Sequence, residues 1–528
     1  MKKIFLLPIA TVFFLAGCRK YLDINTDPVN PQTATAQLVI APIINRMAID
    51  AALDYRQVMC VTQNWGSFLS LSAWERHGYV SASDVSGTLW RMAYADLGQN
   101  LEVMINDGVD NQKYQYAGIG YAVKAWAYQI TTDMYGPIIL DAAFDPTLLA
   151  FPYQDQDTVY RKVRTWAHTA LQYLDQTGPV DYTAALNAVS GDNLYRGNMA
   201  RWKKFVYGLL ALQFSHLVNK SAFTTAYADS VIRYVDSSFV DESDDATIFF
   251  NASNADDSNP FGTSPGNIPG STTVAYSSYG AVGLPIVKLL TGGVRGTAPD
   301  EPKASVDPRL TRMLSYSSAD SIYRGVVATE GSAGDAPCVL GIVGSDGLYP
   351  GKYVFTDVAR WPVMTYSQLQ FAKAEAYYYK GDLSSAYQAY LNGINGHMTF
   401  INTYGLTDGY DKTISASEIS SYLLSSEVVQ SSDSLKLADI MGQKYIAQWG
   451  WAGMEQWCDL RKYHYDSTVF RTYTQLTASQ LADQNNGQYA YRFRPRYNSE
   501  YVWNAEELQK WGALDAAYMT YETWFTKQ

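Results

Sequence analysis

Apolar residues recur at helical spacing over most of this chain, in two blocks separated by a polar, loop-rich stretch. The first block opens with a helical stretch around Ala41–Ser70. Over Tyr114–Met134 the residues Ile119, Val123, Trp126, Ala127, Ile130 and Met134 share one helical face, and Tyr135-Gly136-Pro137 stops the helix. Thr158–Leu174 and Met199–Val218 repeat the amphipathic pattern. Glycine, serine, asparagine and proline dominate from Asn251 to Gly296, and loop-like sequence continues to about Gly351. A connection that long inside a compact domain predicts a folded, loop-rich functional insert over 251–351. Helices resume at Tyr366 and run to residue 463, with one expected over Ala438–Cys458; residues 464–528 mix loops with a final helix near Ala505–Trp511. These pieces read as one mainly α domain over 38–528, with its first helical part spanning 38–250.

Ala376-Tyr377-Tyr378-Tyr379-Lys380-Gly381-Asp382, running into Ala386-Tyr387 and Tyr390, has the turn and second-helix signature of a tetratricopeptide repeat. Small residues stand where helices cross closely, glycine at the turn and an aromatic on the packing face. The N-terminus carries a different signal. Lys2 and Lys3 precede an apolar run from Ile4 to Leu15, which is the layout of a secretory signal over residues 1–17. The run is too short to span a bilayer, and Leu15 at −3 suits an ordinary cleavage site poorly. Leu15-Ala16-Gly17-Cys18 resembles the lipobox of bacterial lipoproteins, which implies that Cys18 becomes the acylated first residue of the mature chain. Residues 18–37, polar and interrupted by Pro28 and Pro31, then read as a tether.

The net charge of −11 over 528 residues offers no basic stripe for nucleic acid. With Cys18 lipidated, only Cys60, Cys338 and Cys458 remain, so no disulfide framework is expected and at most one bridge can form. No C-x-x-C and no His/Cys cluster has zinc spacing, and the five histidines are scattered, so no metal and no cofactor is expected. Tyrosine is the unusual count: 42 residues, more than all Lys and Arg together, beside 13 Trp. Most must serve the core, yet such a chain has rings to spare for a wet binding face.

Enzyme signals fail on inspection. Gly262-Thr263-Ser264-Pro265-Gly266 matches a nucleophile elbow, but proline after the serine removes the N–H that an oxyanion hole needs. Asp23-Ile24-Asn25-Thr26-Asp27-Pro28 opens like a calcium loop but has proline where the turn needs glycine. Gly118 and Gly120 lie inside an amphipathic helix and suit helix packing. The acidic run Asp241-Glu242-Ser243-Asp244-Asp245 reads as a solvated charged loop. No catalytic residue is assigned.

Capture of a sugar or peptide asks for flat rings beside hydrogen-bonding side chains. Trp65, Trp74, Arg76, Tyr79 and Trp90, set among Ser and Gly, form one such mixture; Tyr276 and Tyr279 in the insert, with Trp361 before the repeat helix, form another. Trp74 and Tyr79 are the better candidates because Ser72, Glu75, Arg76, His77 and Gly78 surround them, whereas Trp65 and Trp90 also suit a core. A short strand would put Tyr276 and Tyr279 on opposite faces, leaving one of them buried.

Several phrases together resemble the SusD/RagB family of nutrient-binding outer-membrane lipoproteins of Bacteroidetes. They are Tyr21-Leu22-Asp23-Ile24-Asn25-Thr26-Asp27-Pro28, Thr132-Asp133-Met134-Tyr135-Gly136-Pro137, and Gly197-Asn198-Met199-Ala200-Arg201-Trp202-Lys203-Lys204. To these add the helix ending Ala374-Glu375-Ala376, then Gln443-Lys444 and Glu455-Gln456-Trp457 with Arg461. A displaced Pro137 and Arg461-Lys462 in place of an arginine pair mark a divergent subgroup. The resemblance implies a mainly α fold in which tetratricopeptide-like helix pairs form a scaffold with a loop-rich ligand-binding side. It further implies a surface lipoprotein of the outer membrane that passes oligosaccharide or peptide to a SusC-like TonB-dependent barrel. A structural lid of that barrel and a secreted hydrolase are the rival readings.

Overall fold

Helix α1 (Ala36–Val61) lies in the interior, where it meets helices from both ends of the chain. The computed structural model describes residues 34–253, 257–262, 279–317, 319–331, 336–339, 351–407 and 411–528. By length and composition α1 could cross a membrane, but it is packed inside and carries buried Asp50 and Asp54, so it is a core helix. The expected helix over Ala41–Ser70 therefore starts earlier and ends at Val61, because the chain turns out through Gln63 at φ 58° into a strand.

The other helices of six residues or more among the described residues are, before the insert, α2 (Gly98–Asp110), α3 (Tyr114–Tyr135), α4 (Gln156–Leu174), α5 (Met199–Ser215) and α6 (Ala228–Asp236). After the insert come α7 (Tyr366–Lys380), α8 (Leu383–Phe400), α9 (Ala416–Leu423), α10 (Leu437–Gln448), α11 (Gly453–Lys462) and α12 (Ala505–Lys510). Sequential neighbours pack as pairs: α2 on α3, α3 on α4, α5 on α6 and α7 on α8. Small residues allow the close crossings: a Cβ on Gly118 would meet Leu174, one on Gly120 would meet Ile105, and one on Gly393 would meet the Phe371 ring.

The α7–α8 pair shows why its sequence reads as a repeat. Thr365 caps α7 by accepting the Gln368 N–H; Gly381 ends it in the left-handed region at φ 78°; Asp382 caps α8 by accepting the Ser385 N–H. Nothing crowds Gly381, so the backbone angle alone requires glycine there. One expectation is corrected. Ala438–Cys458 is two helices, broken at Trp449–Ala452 where Gly450 adopts φ 86° and donates to buried Asn64.

Among the described residues, three two-stranded antiparallel ribbons complete the fold. β1 (Trp65–Ser67) pairs with β5 (Tyr279–Val282), β2 (Ile138–Ile139) with β3 (Tyr153–Gln154), and β4 (Ala246–Ile248) with β6 (Trp361–Met364). The described parts of the insert are ordered against the helices. Buried Arg309 pairs with Asp307 at 2.7 Å and donates to Gln443 of α10 and Tyr422 of α9, fastening the insert to the repeat region.

At the crossing of α7, α10 and α11 four charges are buried together. Lys462 Nζ lies 2.7 Å from Glu375 and 2.9 Å from Asp459, and Lys444 Nζ donates to Asp459 at 2.8 Å. Burial opposes the charge on Lys462, but the Asp459 and Glu375 carboxylates outweigh it and hold the ammonium above its usual range. Beside them buried Arg461 donates to the carbonyls of Asp133 (2.6 Å) and Tyr491 (2.8 Å) and lies 3.9 Å above the Trp457 ring. Removing one member strands its partner's charge in the interior. Lys462→Met is expected to lower unfolding free energy by about 3–5 kcal/mol in urea titrations, and Lys462→Met with Glu375→Gln to lower it by less than Lys462→Met alone.

Candidate ligand-binding face

Three loop regions far apart in sequence meet on one side of the helices: residues 65–87, the insert around 326–331, and 474–503. Glu75 joins the first two, its carboxylate accepting the N–H groups of Ser67 (2.8 Å) and Thr329 (3.3 Å). Burial pushes this carboxyl up to about 7 against the pull of those two donors. Arg76 joins the first and third, donating to the carbonyls of Gln480 (3.2 Å) and Leu481 (2.9 Å) and to Asp483 (2.8 Å). His77 lies buried beneath Tyr465 and Tyr489. Its Nδ1 accepts the Ala490 N–H at 3.3 Å, and its Nε2 lies 3.1 Å from the Tyr473 hydroxyl, which itself donates to Val61. That pattern requires a neutral ring, and burial accordingly drives its pKa down to about 3.

The structure separates the sequence-predicted rings. Trp74 is 5% exposed, edge-on to Phe493 at 5.9 Å. Trp65 is buried against Phe261 at 5.0 Å, and Trp361 packs on the same phenyl ring at 4.7 Å. Trp90 is enclosed by Tyr94, Tyr135 and Tyr153 and donates its indole N–H to Glu500 at 3.0 Å. All four indoles are buried, so the expectation that they stack on ligand at the loop face is corrected. Arg76 is taken up by the chain itself. Tyr276 and the Tyr279 side chain lie outside the described residues.

Tyr79 alone among the described ring candidates stays half-exposed, in a cluster that the sequence reading missed. Arg494 places its guanidinium 3.9 Å above the Tyr79 ring and 5.3 Å from that of Tyr501, while Tyr501 stacks on Tyr497 at 5.7 Å and 12°. Asp84 accepts both the backbone and side-chain N–H groups of Asn498 at 2.8 Å and pairs with Arg496 at 2.5 Å. Trp503, 78% exposed, follows directly, with Asn504 held by Phe151 of a neighbouring loop. Rings and fixed polar groups therefore share one wet surface. The Tyr-x-x-x-Tyr spacing of 497 and 501 was the signal that could have found it.

Groups suited to acid–base or metal chemistry are committed elsewhere. Asp133, His216 and Cys458 approach one another in the interior, but both His216 nitrogens face partners, Glu455 at 3.0 Å and the Tyr160 hydroxyl at 3.1 Å. Burial lowers the His216 pKa less than Glu455 and Asp133 raise it, so the net shift is upward. Arg461 donates to the Cys458 sulfur at 3.2 Å, a cation where a metal would have to sit. The acidic run is corrected as well: Asp244 is buried against Lys204 and Asp245 accepts the Tyr366 N–H, so both are structural. Cys60, Cys338 and Cys458 are buried.

Paired helices carrying a loop face of rings and polar groups, with no catalytic constellation among the described residues, define a binding protein built on a tetratricopeptide-like scaffold. The chain belongs to the SusD-like family, described as starch-binding and associating with the outer membrane, which it matches over residues 28–270 and 303–495. Members bind carbohydrate and are not catalytic, so this chain is not an enzyme. Its fold is that of a SusD/RagB family protein of Bacteroides thetaiotaomicron, at a TM-score of 0.68 and 20% identity over 94% of this chain and 99% of that one. A SusD homologue of Bacteroides fragilis gives 0.68 and 16% over 94% and 100%. A chitin-binding SusD homologue of Flavobacterium johnsoniae gives 0.63 and 15% over 93% and 98%. The chain matches no curated protein sequence.

His77 makes the loop face acid-sensitive. Its folded pKa of about 3 lies below the ordinary 6.5, so the unfolded chain takes up the proton first. The stability it confers is whole above pH 6.5 and is lost as pH falls toward 3. Between pH 6.5 and 4.5 wild type is expected to lose about 2–3 kcal/mol more than His77→Phe in paired denaturant titrations.

Proposed function

We propose that this protein captures an oligosaccharide on the face formed by residues 65–87 and 474–503 and passes it to a SusC-like TonB-dependent barrel. The observation that carries the reading is the exposed Trp503 beside the stacked Tyr497 and Tyr501, with Asn498, Asp84 and Arg496 fixed next to them. Sugar rings present apolar faces that stack on such rings, and hydroxyls that the fixed amide, carboxylate and guanidinium groups satisfy. Half-exposed Tyr79 under Arg494 extends the surface, and the insert borders it through Thr329. Family membership supports a glycan over a peptide. A chitin-binding relative of the same fold favours including amino-sugar oligomers among the ligands to be tried. Anchoring follows from the lipobox-like Leu15-Ala16-Gly17-Cys18, which lies outside the described residues. Acyl chains on Cys18 would hold the protein at the outer membrane, with a tether between lipid and fold.

Lipid-free Lys20–Gln528 titrated with starch- and chitin-derived oligosaccharides and mixed peptides is expected to give a saturable tryptophan-fluorescence change with one glycan class. Trp503→Ala should weaken that binding by about tenfold or more, ~1.4 kcal/mol, with the fold intact by circular dichroism. A peptide response alone would replace the glycan reading. Silence toward every class would favour a lid that works only with its barrel. In cells, Cys18→Ala is expected to move the protein out of the membrane fraction and abolish labelling by a fatty-acid analogue.

A further inference from the structure

A second cluster of cations and rings stands at the end of the β4–β6 ribbon and shares no residue with the loop face. Ile248 pairs with Trp361 across the ribbon and both are buried, so strand alternation turns the next residues, Phe249 and Arg360, outward. The Arg360 guanidinium lies 5.4 Å from the Phe249 ring and 5.3 Å from that of Tyr404, just beyond α8. Arg196 approaches the same Phe249 ring at 5.6 Å. A tight loop brings it there: Asp192 accepts the N–H groups of Leu194, Tyr195 and Gly197, and Arg196 adopts φ 55°, in the left-handed region where a long side chain is disfavoured. Arg201, in the first turn of α5, supplies a third guanidinium. Burial and Asp245 push the Tyr404 hydroxyl up while Arg360 and Arg201 pull it down, so both cations bear on that one group.

These charges are not spent within the fold. Arg360 makes no hydrogen bond and no ion pair among the described residues. Arg196 donates only to the Ala188 carbonyl at 3.4 Å, and Arg201 comes no nearer to Asp244 than 3.9 Å. The acids close by are occupied: Asp244 is held by Lys204 at 2.6 Å, and Asp245 accepts the Tyr366 N–H at 2.6 Å. Burial drives the Asp245 carboxyl well above the usual carboxylate range, so it brings little charge to offset the arginines. A guanidinium set against rings keeps its in-plane N–H groups for another partner, and their fork matches the two oxygens of a carboxylate. We propose that this ribbon end binds the carboxylate of an acidic sugar residue, a uronate, with Arg360 as its bidentate donor and Arg196 and Arg201 as supporting charges. The sugar half of that assignment rests on the glycan reading above; the carboxylate half rests on the three arginines. A neutral saccharide would gain nothing from their charge, and a cation would be repelled by it.

The test is calorimetric titration of lipid-free Lys20–Gln528 with trigalacturonate, its neutral methyl ester, maltotriose and a triglutamate peptide. Saturable binding of trigalacturonate is expected, weaker by about tenfold or more for the ester and falling as salt is raised. Arg360→Gln should weaken trigalacturonate binding by a similar factor. Equal affinity for acid and ester overturns the proposal, as does unchanged affinity in folded Arg360→Gln or triglutamate binding as tightly as trigalacturonate. Neutral glycan bound while trigalacturonate is ignored overturns it too, and leaves the glycan reading of the loop face standing. Trigalacturonate bound through Arg360, with every neutral glycan silent, supports the proposal and counts against that reading. The acid–ester comparison uses wild type, so it decides the matter even where the variant fails to fold.

Discussion

Everything in this fold hangs on charges that must be buried and therefore must be paired. Lys444, Lys462, Glu375 and Asp459 stand in the interior where α7, α10 and α11 cross, and each is tolerable only while its partners stay within hydrogen-bond reach. Arg461 extends the constraint, tying α11 to the end of α3 through the Asp133 carbonyl and to the C-terminal loops through Tyr491. Apolar packing alone would let these helices slide; paired charges fix their register. Several residues of the family-like phrases sit in or beside this buried polar framework: Asp133, Glu375, Lys444, Trp457 and Arg461. Those phrases record the scaffold, whereas the proposed ligand surface is built from other residues.

That division explains what could be read from the chain beforehand. The α7–α8 pair was legible because a turn glycine, capping residues and small crossing residues are local requirements with local signatures. The break at Trp449–Ala452 was not, since an apolar run of helical period continues through it and only Asn64, nearly four hundred residues away, captures the interrupted backbone. Trp74 shows the same limit at the site. Its polar neighbours suggested exposure, yet Glu75 and Arg76 turn inward to bind backbone of the insert and of the C-terminal loops, which buries the indole between them. Polar neighbours in sequence become interior staples when a loop is folded over by distant partners.

The rings that do reach the surface came from residues 494–503, read only as part of a mixed C-terminal region. Nothing in the spacing of Tyr497, Tyr501 and Trp503 says that they will meet Tyr79, because the contact is made by the tertiary fold. Arg494 is the link, one guanidinium serving rings from both ends of the chain. Trp361 had the opposite fate. It was expected on the ligand side and stands instead in the core, packed on Phe261.

The meeting of residues 84 and 498 also has a consequence in time. Their hydrogen bonds close a loop of 414 positions, and the pairing of Arg76 with Asp483 closes one of 407. Contacts of such long range form only after the intervening chain has been ordered or brought close. As the polypeptide folds, the helical pairs can assemble in succession, but the proposed capture surface cannot. The proposed face is thus the last surface this molecule completes, and a chain cut short before residue 498 would be folded in part and lack it.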